Sequence, residues 1–298
     1  AHSPRQYDTL AKSCAEPHPV LQTDAYMVPR AEQRTELGTA VYFGGIVFPH
    51  HASLDPGRYH SDLLGIARAA GVTIHSHAPV QNIDRTGGGF EVTVPQGVVR
   101  AGKVIIATNG YTGNLTPWQQ RRVIPIGSYV IATEEIAPDV MDRLMPKNRI
   151  HSDTRKLVYY YRPSPDRKRI LFGGRVSLNE TDPRRSGPKL RDELVRIFPD
   201  LTAIRIRNSW VGFVAYTFDA LMHTGHDNGL YYAVGYCGSG VGMSSYLGMR
   251  VGQQAAGLED GTTAFDHIPF PTRPFYSGNP WFLGPSVLAY RLRDRLGV

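Results

Sequence analysis

Hydrophobic positions follow helical spacing in some parts of the chain and strand-like runs in others. Between residues 56 and 70 apolar side chains recur every three or four positions, and Gly71 follows where a helix-ending glycine is expected. VTIHS at 72–76 then predicts a short strand. KVIIATNG at 103–110 is a continuous apolar run, which predicts a parallel strand buried on both faces.

The middle of the chain has a different pattern. Three segments there are rich in β-branched and aromatic residues and are separated by proline and charged turns: GSYVIATEEI, KLVYYYRP and RILFGGRVSL. GPKLRDELVRIFPDL at 187–201 has Leu190, Leu194 and Ile197 on one side of a helix. This block therefore predicts a mostly antiparallel sheet with one amphipathic helix.

A strand, a glycine-rich loop and a helix follow in YYAVGYCGSGVGMSSYLGMRVGQQAAG, from Tyr231 to Gly257. A helix beginning near Val241 would present unpaired N–H groups and a positive dipole end, and glycines before it would let a ligand approach the backbone. GYCGSGVG is not the GxGxxG motif, so for the loop taken alone a simple structural turn is the favoured explanation. The tail predicts extended chain before a last short helix.

Composition narrows the class of protein. The 298 residues are 41% hydrophobic and 20% charged, as in ordinary globular proteins, and no run approaches the roughly 18 apolar residues of a membrane span. The positive charges that give the net charge of +7 are scattered, and the sequence has no nucleic-acid-reading motif. These two features exclude a nucleic-acid-binding protein. Two cysteines in no zinc-site spacing predict no metal and a cytoplasmic, reducing setting.

Several segments occur in an order and spacing that resembles the FAD-dependent superfamily of D-amino-acid oxidase, glycine oxidase and sarcosine oxidase. The segment YYYRPSPDRKRILFGGR and the tail look most like its gamma-glutamylputrescine oxidoreductase branch. The segments that carry the resemblance are Tyr42 to Gly45, Pro56 to Val72, Pro79 to Ile83, 103–112, 170–175, 209–219 and 229–242.

The resemblance implies an α/β (α+β) fold of the FAD-linked reductase type. A partial FAD-binding domain would be combined with a sheet-rich, antiparallel substrate domain. The expected divisions are 1–53 (start of the substrate domain and a connecting segment), 54–118 (part of the FAD-binding domain), 119–225 (substrate domain), 226–265 (C-terminal part of the FAD-binding domain) and 266–298 (tail).

The same resemblance implies non-covalent FAD as cofactor, with the helix after the glycine loop facing the flavin. The residues expected to bind it are Val80, Ala107, Thr108, Asn109, Gly110, Gly238, Ser239, Gly240, Val241, Gly242 and Met243. Family members also carry a GxGxxG unit that grips the pyrophosphate, and this sequence has none. A second polypeptide or a missing N-terminal segment is therefore the expected partner.

On the substrate side the resemblance indicates Tyr160, with Tyr42 and Arg175 as further candidates, and identifies no catalytic residue. Amino-acid oxidases place a carboxylate-binding arginine where this chain has Val214, so a small amine without an adjacent carboxylate is the expected substrate. The expected reaction is oxidation of its C–N bond by hydride transfer to FAD, by an oxidase or a dehydrogenase. The alternative is a non-catalytic subunit of the same fold without FAD.

Overall fold

Two units, each discontinuous in sequence, make up the chain in the computed structural model. The structure describes residues 1–16, 20–21, 23–177 and 181–297. The first unit consists of Ala1–Asp55, Gly127–Gly212 and Phe282–Val298. The second consists of Pro56–Ile126 and Phe213–Trp281.

The helices and strands are numbered in chain order. The helices are α1 Pro4–Ala15, α2 Pro56–Ala69, α3 Pro117–Gln120, α4 Pro138–Leu144, α5 Pro183–Ile197, α6 Gly240–Ala256 and α7 Leu283–Leu296. The strands are β1 Tyr26–Val28, β2 Gly45–Val47, β3 Asn82–Thr86, β4 Gly89–Val94, β5 Gly97–Ala101, β6 Val104–Ile106, β7 Ile124–Thr133, β8 His151–Ser152, β9 Tyr160–Pro163, β10 Ile170–Gly174, β11 Ile206–Tyr216, β12 His223–Asp227 and β13 Leu230–Val234.

The first unit is built on a sheet with the strand order β11-β7-β10-β9-β8. The β7–β10, β10–β9 and β9–β8 pairs are antiparallel. Side chains of successive residues point to opposite faces, so Tyr129, Tyr161 and Phe172 enter the core together while their neighbours face the other way. The antiparallel sheet that the middle of the chain predicts is thus present.

Helix α5 covers the core face of this sheet. Asp182 caps the helix by accepting a 2.7 Å hydrogen bond from the Arg184 N–H, and Pro183 occupies the first turn, so the helix begins four residues before the predicted start. Leu190, Leu194 and Ile197 are buried as their spacing predicts.

The second unit contains two three-stranded sheets, with the orders β12-β13-β6 and β3-β4-β5. Strand β13 pairs antiparallel with β12 and parallel with β6. Helix α6 packs on the first of these sheets through Leu247 and Val251, which contact Ala233 and Tyr236. Its start at Gly240 agrees with the sequence prediction.

Two predictions about this unit are wrong. Residues 72–75 form no strand, and Val72 is 54% exposed. Strand β6 is not buried on both faces, since its Ile105 is 43% exposed. Both errors have the same cause. A strand forms and becomes buried only when neighbouring strands pair with it, and a local sequence pattern does not reveal those neighbours. Within the described residues β6 pairs with β13 alone, and 72–75 pairs with nothing.

The described residues contain neither a membrane-spanning helix nor a cluster of metal ligands. None of their helices combines the length and apolar character that crossing a membrane requires. In those same ranges no three His, Cys, Asp or Glu side chains are grouped as metal ligands.

His151 on β8 makes the first unit sensitive to pH. Its ring stacks on Tyr161 with 5.4 Å between centroids, and its Nε2 is buried without a hydrogen-bond partner. Burial first, and the nearby Arg149 charge second, lower the pKa of His151 to about 4. Folding therefore favours the neutral ring, and the unfolded chain takes up the proton first as pH falls.

We predict that the free energy of unfolding falls as pH drops below the unfolded pKa of 6.5, with the loss continuing towards pH 4. Between about pH 7.5 and pH 5 the His151 contribution to this loss is about 2 kcal/mol. His151→Phe keeps the stacking and removes the titrating group. Its free energy of unfolding, measured in urea, should therefore fall by about 2 kcal/mol less than that of the wild type over the same pH range. Parallel curves for the two proteins would contradict this account.

Candidate functional site

Two loops of the second unit meet where β6 and β13 end. Because these strands are parallel, their carboxyl ends lie at one edge of the sheet, the usual position of ligand sites in α/β proteins. The Asn109 side-chain oxygen accepts a 3.2 Å hydrogen bond from the Gly235 N–H. Residues 107–110 and the glycine loop, predicted separately as cofactor contacts, are therefore neighbours.

The glycine loop turns sharply through left-handed backbone conformations. Gly235 has φ +82° and Gly238 has φ +99°, and Cys237 between them has φ +50°. Any side chain at Gly235 would also overlap the methyl group of Thr217. The Cys237 thiol is directed to the Gly235 carbonyl at 3.1 Å, consistent with a small packed residue. These features explain the turn without a ligand.

The glycines in the first turn of α6 have no such explanation. Neither Gly240 nor Gly242 has a positive φ. A Cβ at Gly240 would lie 3.7 Å from the Tyr236 side chain, an ordinary contact, and one at Gly242 would meet no atom within 4 Å. Glycine within a helix costs about 1 kcal/mol relative to alanine. The protein's own packing permits side chains here, and close approach of a ligand would account for their absence.

This helix end is also suited to negative charge. The Ser239 side chain does not cap α6, so the N–H groups of the first turn are left to external partners. Gly238, Ser239, Val241 and Gly242 are all exposed, and Met243 is half-buried. The positive end of the helix dipole and these N–H groups can stabilise an anionic group or the electron-rich edge of a ring.

The other predicted cofactor residues divide into two groups. Ala107 and Thr108 are exposed beside the glycine loop. Gly110 is explained by packing, because a Cβ there would overlap the Phe213 backbone. Val80 precedes β3 in the other sheet of the unit and is exposed, and it takes no part in the meeting of the two loops.

Several apolar side chains of the second unit are exposed, in addition to the open edge of β6. Helix α2 has no buried residue, and its Ile66 is 65% exposed. Val72, Ile74 and Ile105 add further exposed apolar side chains in the same unit. Exposed apolar patches combined with an unpaired strand edge mark places where another polypeptide segment packs.

In the first unit, Tyr160 occupies the sheet face opposite the core. Its hydroxyl is hydrogen-bonded to Ser128 on β7, and its ring lies over Gly173 on β10, where any Cβ would overlap it. Arg175, two residues beyond Gly173, is buried and donates a 3.3 Å hydrogen bond to the Gly127 carbonyl. The structure thus brings Tyr160 and Arg175 to one face.

Tyr42 lies on the opposite side of the sheet. It is buried in the core cluster with Tyr161, so the structure does not bring it together with Tyr160. It borders a cavity of about 620 Å³ that is also lined by His151, Asp153 and Tyr161. Burial raises the pKa of Tyr42 and of Asp153, whose carboxylate accepts backbone hydrogen bonds from Arg155 and Tyr159 and is paired with the Arg155 side chain.

Sequence reasoning missed Ser128 and Gly173 as neighbours of Tyr160. The GG pair of RILFGGR was visible, but a glycine that makes room for a tyrosine requires knowledge of the β9–β10 register, in which Gly173 lies opposite Tyr160. Ser128 had no signal at all, since one serine in a strand is usually surface.

Curated relatives resemble the chain over most of its length. It is 29% identical over 271 residues to "Probable oxidoreductase OrdL" of Rhizobium meliloti (strain 1021), covering 89% of this chain and 62% of that protein. It is 30% identical over 270 residues to gamma-glutamylputrescine oxidoreductase of Escherichia coli (strain K12), with the same two coverages. The chain therefore spans about 62% of the length of these relatives.

Solved structures share its fold. Glycine oxidase from Geobacillus kaustophilus superposes with a TM-score of 0.71 at 19% identity, covering 91% of this chain and 72% of that one. L-Proline dehydrogenase from P. horikoshii has the same TM-score at 16% identity, covering 89% and 72%. These likenesses confirm the predicted fold class of mixed helices and antiparallel sheet.

The family assignment comes from a match over most of the sequence. The profile described as "DAO: FAD dependent oxidoreductase" matches residues 1–254. Together with the two loops at the ends of β6 and β13, this match establishes that the chain belongs to the DAO family of FAD-dependent oxidoreductases.

Proposed function

We propose that this chain is the greater part of a flavin-dependent amine oxidoreductase that oxidises the C–N bond of a small amine. The observation that carries the proposal is the first turn of α6, where Gly240 and Gly242 lack side chains although the protein leaves space for them. The family is FAD-dependent, and a flavin approaching this helix end closely would account for both glycines.

The residues present fit one side of FAD. The first-turn N–H groups of α6 would hold the pyrimidine edge of the ring, and exposed Ala107 and Thr108 would border the path of the dinucleotide. No covalent attachment is proposed, since the Cys237 thiol is directed to a backbone carbonyl. When bound, FAD supplies the acceptor for the two electrons and the hydrogen that leave the carbon beside the amine nitrogen.

On the substrate side we propose that Tyr160 forms one wall of the amine site. Its hydroxyl is hydrogen-bonded to Ser128, and the missing side chain at Gly173 lets its ring lie against the sheet. A substrate would therefore contact a ring of fixed position. Hydride transfer depends on such positioning more than on a strong acid or base. Arg175, on the same face, is a further candidate substrate contact.

The substrate class is proposed from Val214 and from the relatives. Val214, on β11, offers no cationic fork for a carboxylate. One curated relative is named for gamma-glutamylputrescine, which supports an amine substrate. Both an oxidase and a dehydrogenase are candidates, since glycine oxidase and L-proline dehydrogenase share this fold.

We further propose that another segment, or a second polypeptide, covers the exposed apolar side chains of α2, residues 72–75 and β6. Such a cover would complete the sheet at the open edge of β6. In this family the GxGxxG unit would be the natural occupant, since this chain lacks it and spans only part of its relatives.

Alanine at the two glycines separates flavin contact from folding. Gly240→Ala and Gly242→Ala should leave the melting temperature unchanged or raise it. Alanine in a helix is more favourable than glycine by up to about 1 kcal/mol in the free energy of unfolding. Both should weaken FAD binding at least about tenfold, because the new methyl group occupies the space of the ring. Fluorescence titration with FAD and thermal melts of the whole protein measure the two effects.

Gly248→Ala, two turns further along α6, is the matched control, since it also has free space around it and should stabilise without affecting FAD. Unchanged FAD affinity in both first-turn variants would overturn the flavin contact. A folded whole protein with no flavin absorbance would instead favour a non-catalytic subunit of the same fold.

Removing the Tyr160–Ser128 hydrogen bond should weaken substrate binding. Tyr160→Phe and Ser128→Ala should each raise the KM for the amine about three- to tenfold and change kcat less. Gly173→Ala should have the larger effect, because it displaces the ring. Steady-state kinetics provide the measurement, and Tyr159→Phe is the control, since Tyr159 immediately precedes β9 and packs against the core cluster on the other face. Equal effects from Tyr159→Phe would reject a specific role for Tyr160.

Amines should be better substrates than neutral α-amino acids. Turnover of alkyl amines should exceed that of glycine and D-alanine, and Val214→Arg should shift the kcat/KM ratio towards the amino acids at least about tenfold. Arg175 is the alternative candidate for binding a carboxylate, because it lies on the same face of the sheet as Tyr160. Faster turnover of amino acids than of amines by the wild type would reject the amine preference. Loss of that turnover in Arg175→Lys would then assign carboxylate binding to Arg175.

A further inference from the structure

Helix α7 is fixed to the first unit by one face. Val287 on that face is buried, and the Arg291 side chain donates to the Val176 carbonyl. The Asp294 carboxylate accepts hydrogen bonds from the backbone N–H groups of Lys156 and Leu157, at 2.7 and 3.1 Å. The helix is therefore anchored at both its middle and its last turn.

The opposite face carries an exposed leucine stripe formed by Leu288, Leu292 and Leu296. These residues are 61%, 59% and 67% exposed, although leucine is normally buried. Their spacing of four places them one above another along the helix, in a continuous apolar ridge. Packing within the described part of the unit gives no reason for this ridge.

Two arginines border the leucine stripe. On the helical wheel Arg295 falls on one side of it and Arg293 on the other, and both are exposed. The one acidic residue of α7, Asp294, is turned towards the protein by its bonds to Lys156 and Leu157. The outward face of the helix is thus apolar in the centre, cationic at the margins and free of acidic side chains.

We propose that α7 binds the surface of an anionic lipid membrane, lying in the plane of the interface. Leucines would enter the boundary between headgroups and acyl chains, and the flanking arginines would extend to the phosphates. The cytoplasmic setting expected from the sequence would present this face to an anionic leaflet. This proposal concerns attachment and is independent of the reaction.

A second copy of the chain fits this face less well. In a two-fold contact each leucine stripe would meet its own copy, and each arginine would approach arginines of the partner. No outward acidic side chain of α7 is available to offset that repulsion. Lipid phosphates supply the opposite charge that the outward face of α7 in a second copy lacks.

Vesicle flotation of the whole protein tests the proposal. The wild type should float with phosphatidylcholine vesicles containing about 30% phosphatidylserine and much less with phosphatidylcholine alone. The variant L288S/L292S/L296S should lose binding at least about tenfold, and R293Q/R295Q should lose the dependence on phosphatidylserine. Because all five side chains are exposed, melting temperatures should stay close to that of the wild type.

V98S/V99S is the matched control, since it removes two exposed valines from β5 and should float like the wild type. Absence of flotation by the wild type, unchanged flotation of the leucine variant or an equal loss in the valine control would each overturn the proposal. A fall from dimer to monomer in sedimentation of the leucine variant would overturn it in favour of a second copy.

Discussion

Parallel pairing of β6 with β13 is the constraint on which the candidate cofactor site depends. Parallel strands finish at the same edge of a sheet, so the pairing makes neighbours of two loops that lie far apart in sequence. The hydrogen bond from the Gly235 N–H to Asn109 then fixes the separation of those loops. Without this pairing, the glycine loop would be only a turn before a helix.

The glycines of this region meet different physical requirements, although they look alike in sequence. Gly235 and Gly110 avoid overlap with neighbouring atoms of the protein, and Gly238 adopts a left-handed conformation. Gly240 and Gly242 meet neither requirement, and a helix would be more stable with alanine in their place. Two glycines, rather than the whole motif, therefore indicate a ligand at this helix end.

Local patterns were enough to predict the elements that complete their own packing. The spacing of Leu190, Leu194 and Ile197 predicted the buried face of α5, and the glycine loop predicted the start of α6. The strand at 72–76 and the burial of Ile105 were predicted wrongly, because both depend on a neighbouring strand that local sequence does not reveal.

The candidate site was predicted by resemblance more than by pattern. Tyr160 faces outward and its neighbour Tyr161 enters the core, as the alternation of side chains along a strand requires. Finding Ser128 beside Tyr160 required the register of β7, β10 and β9, and placing Tyr42 on the Tyr161 side required knowledge of the core packing. Both are long-range properties that no short motif contains.

The pairing of β6 with β13 also has a consequence for the order in which the protein folds. Asn109 and Gly235 are 126 residues apart, and the intervening chain includes most of the first unit's sheet. During vectorial synthesis β6 leaves the ribosome long before the strand that it must pair with, and closing so long a loop is entropically slow. The edge that would receive the flavin therefore cannot assemble until β13 has been synthesised, and the edge of β6 that pairs with β13 stays unpaired in the nascent chain until then.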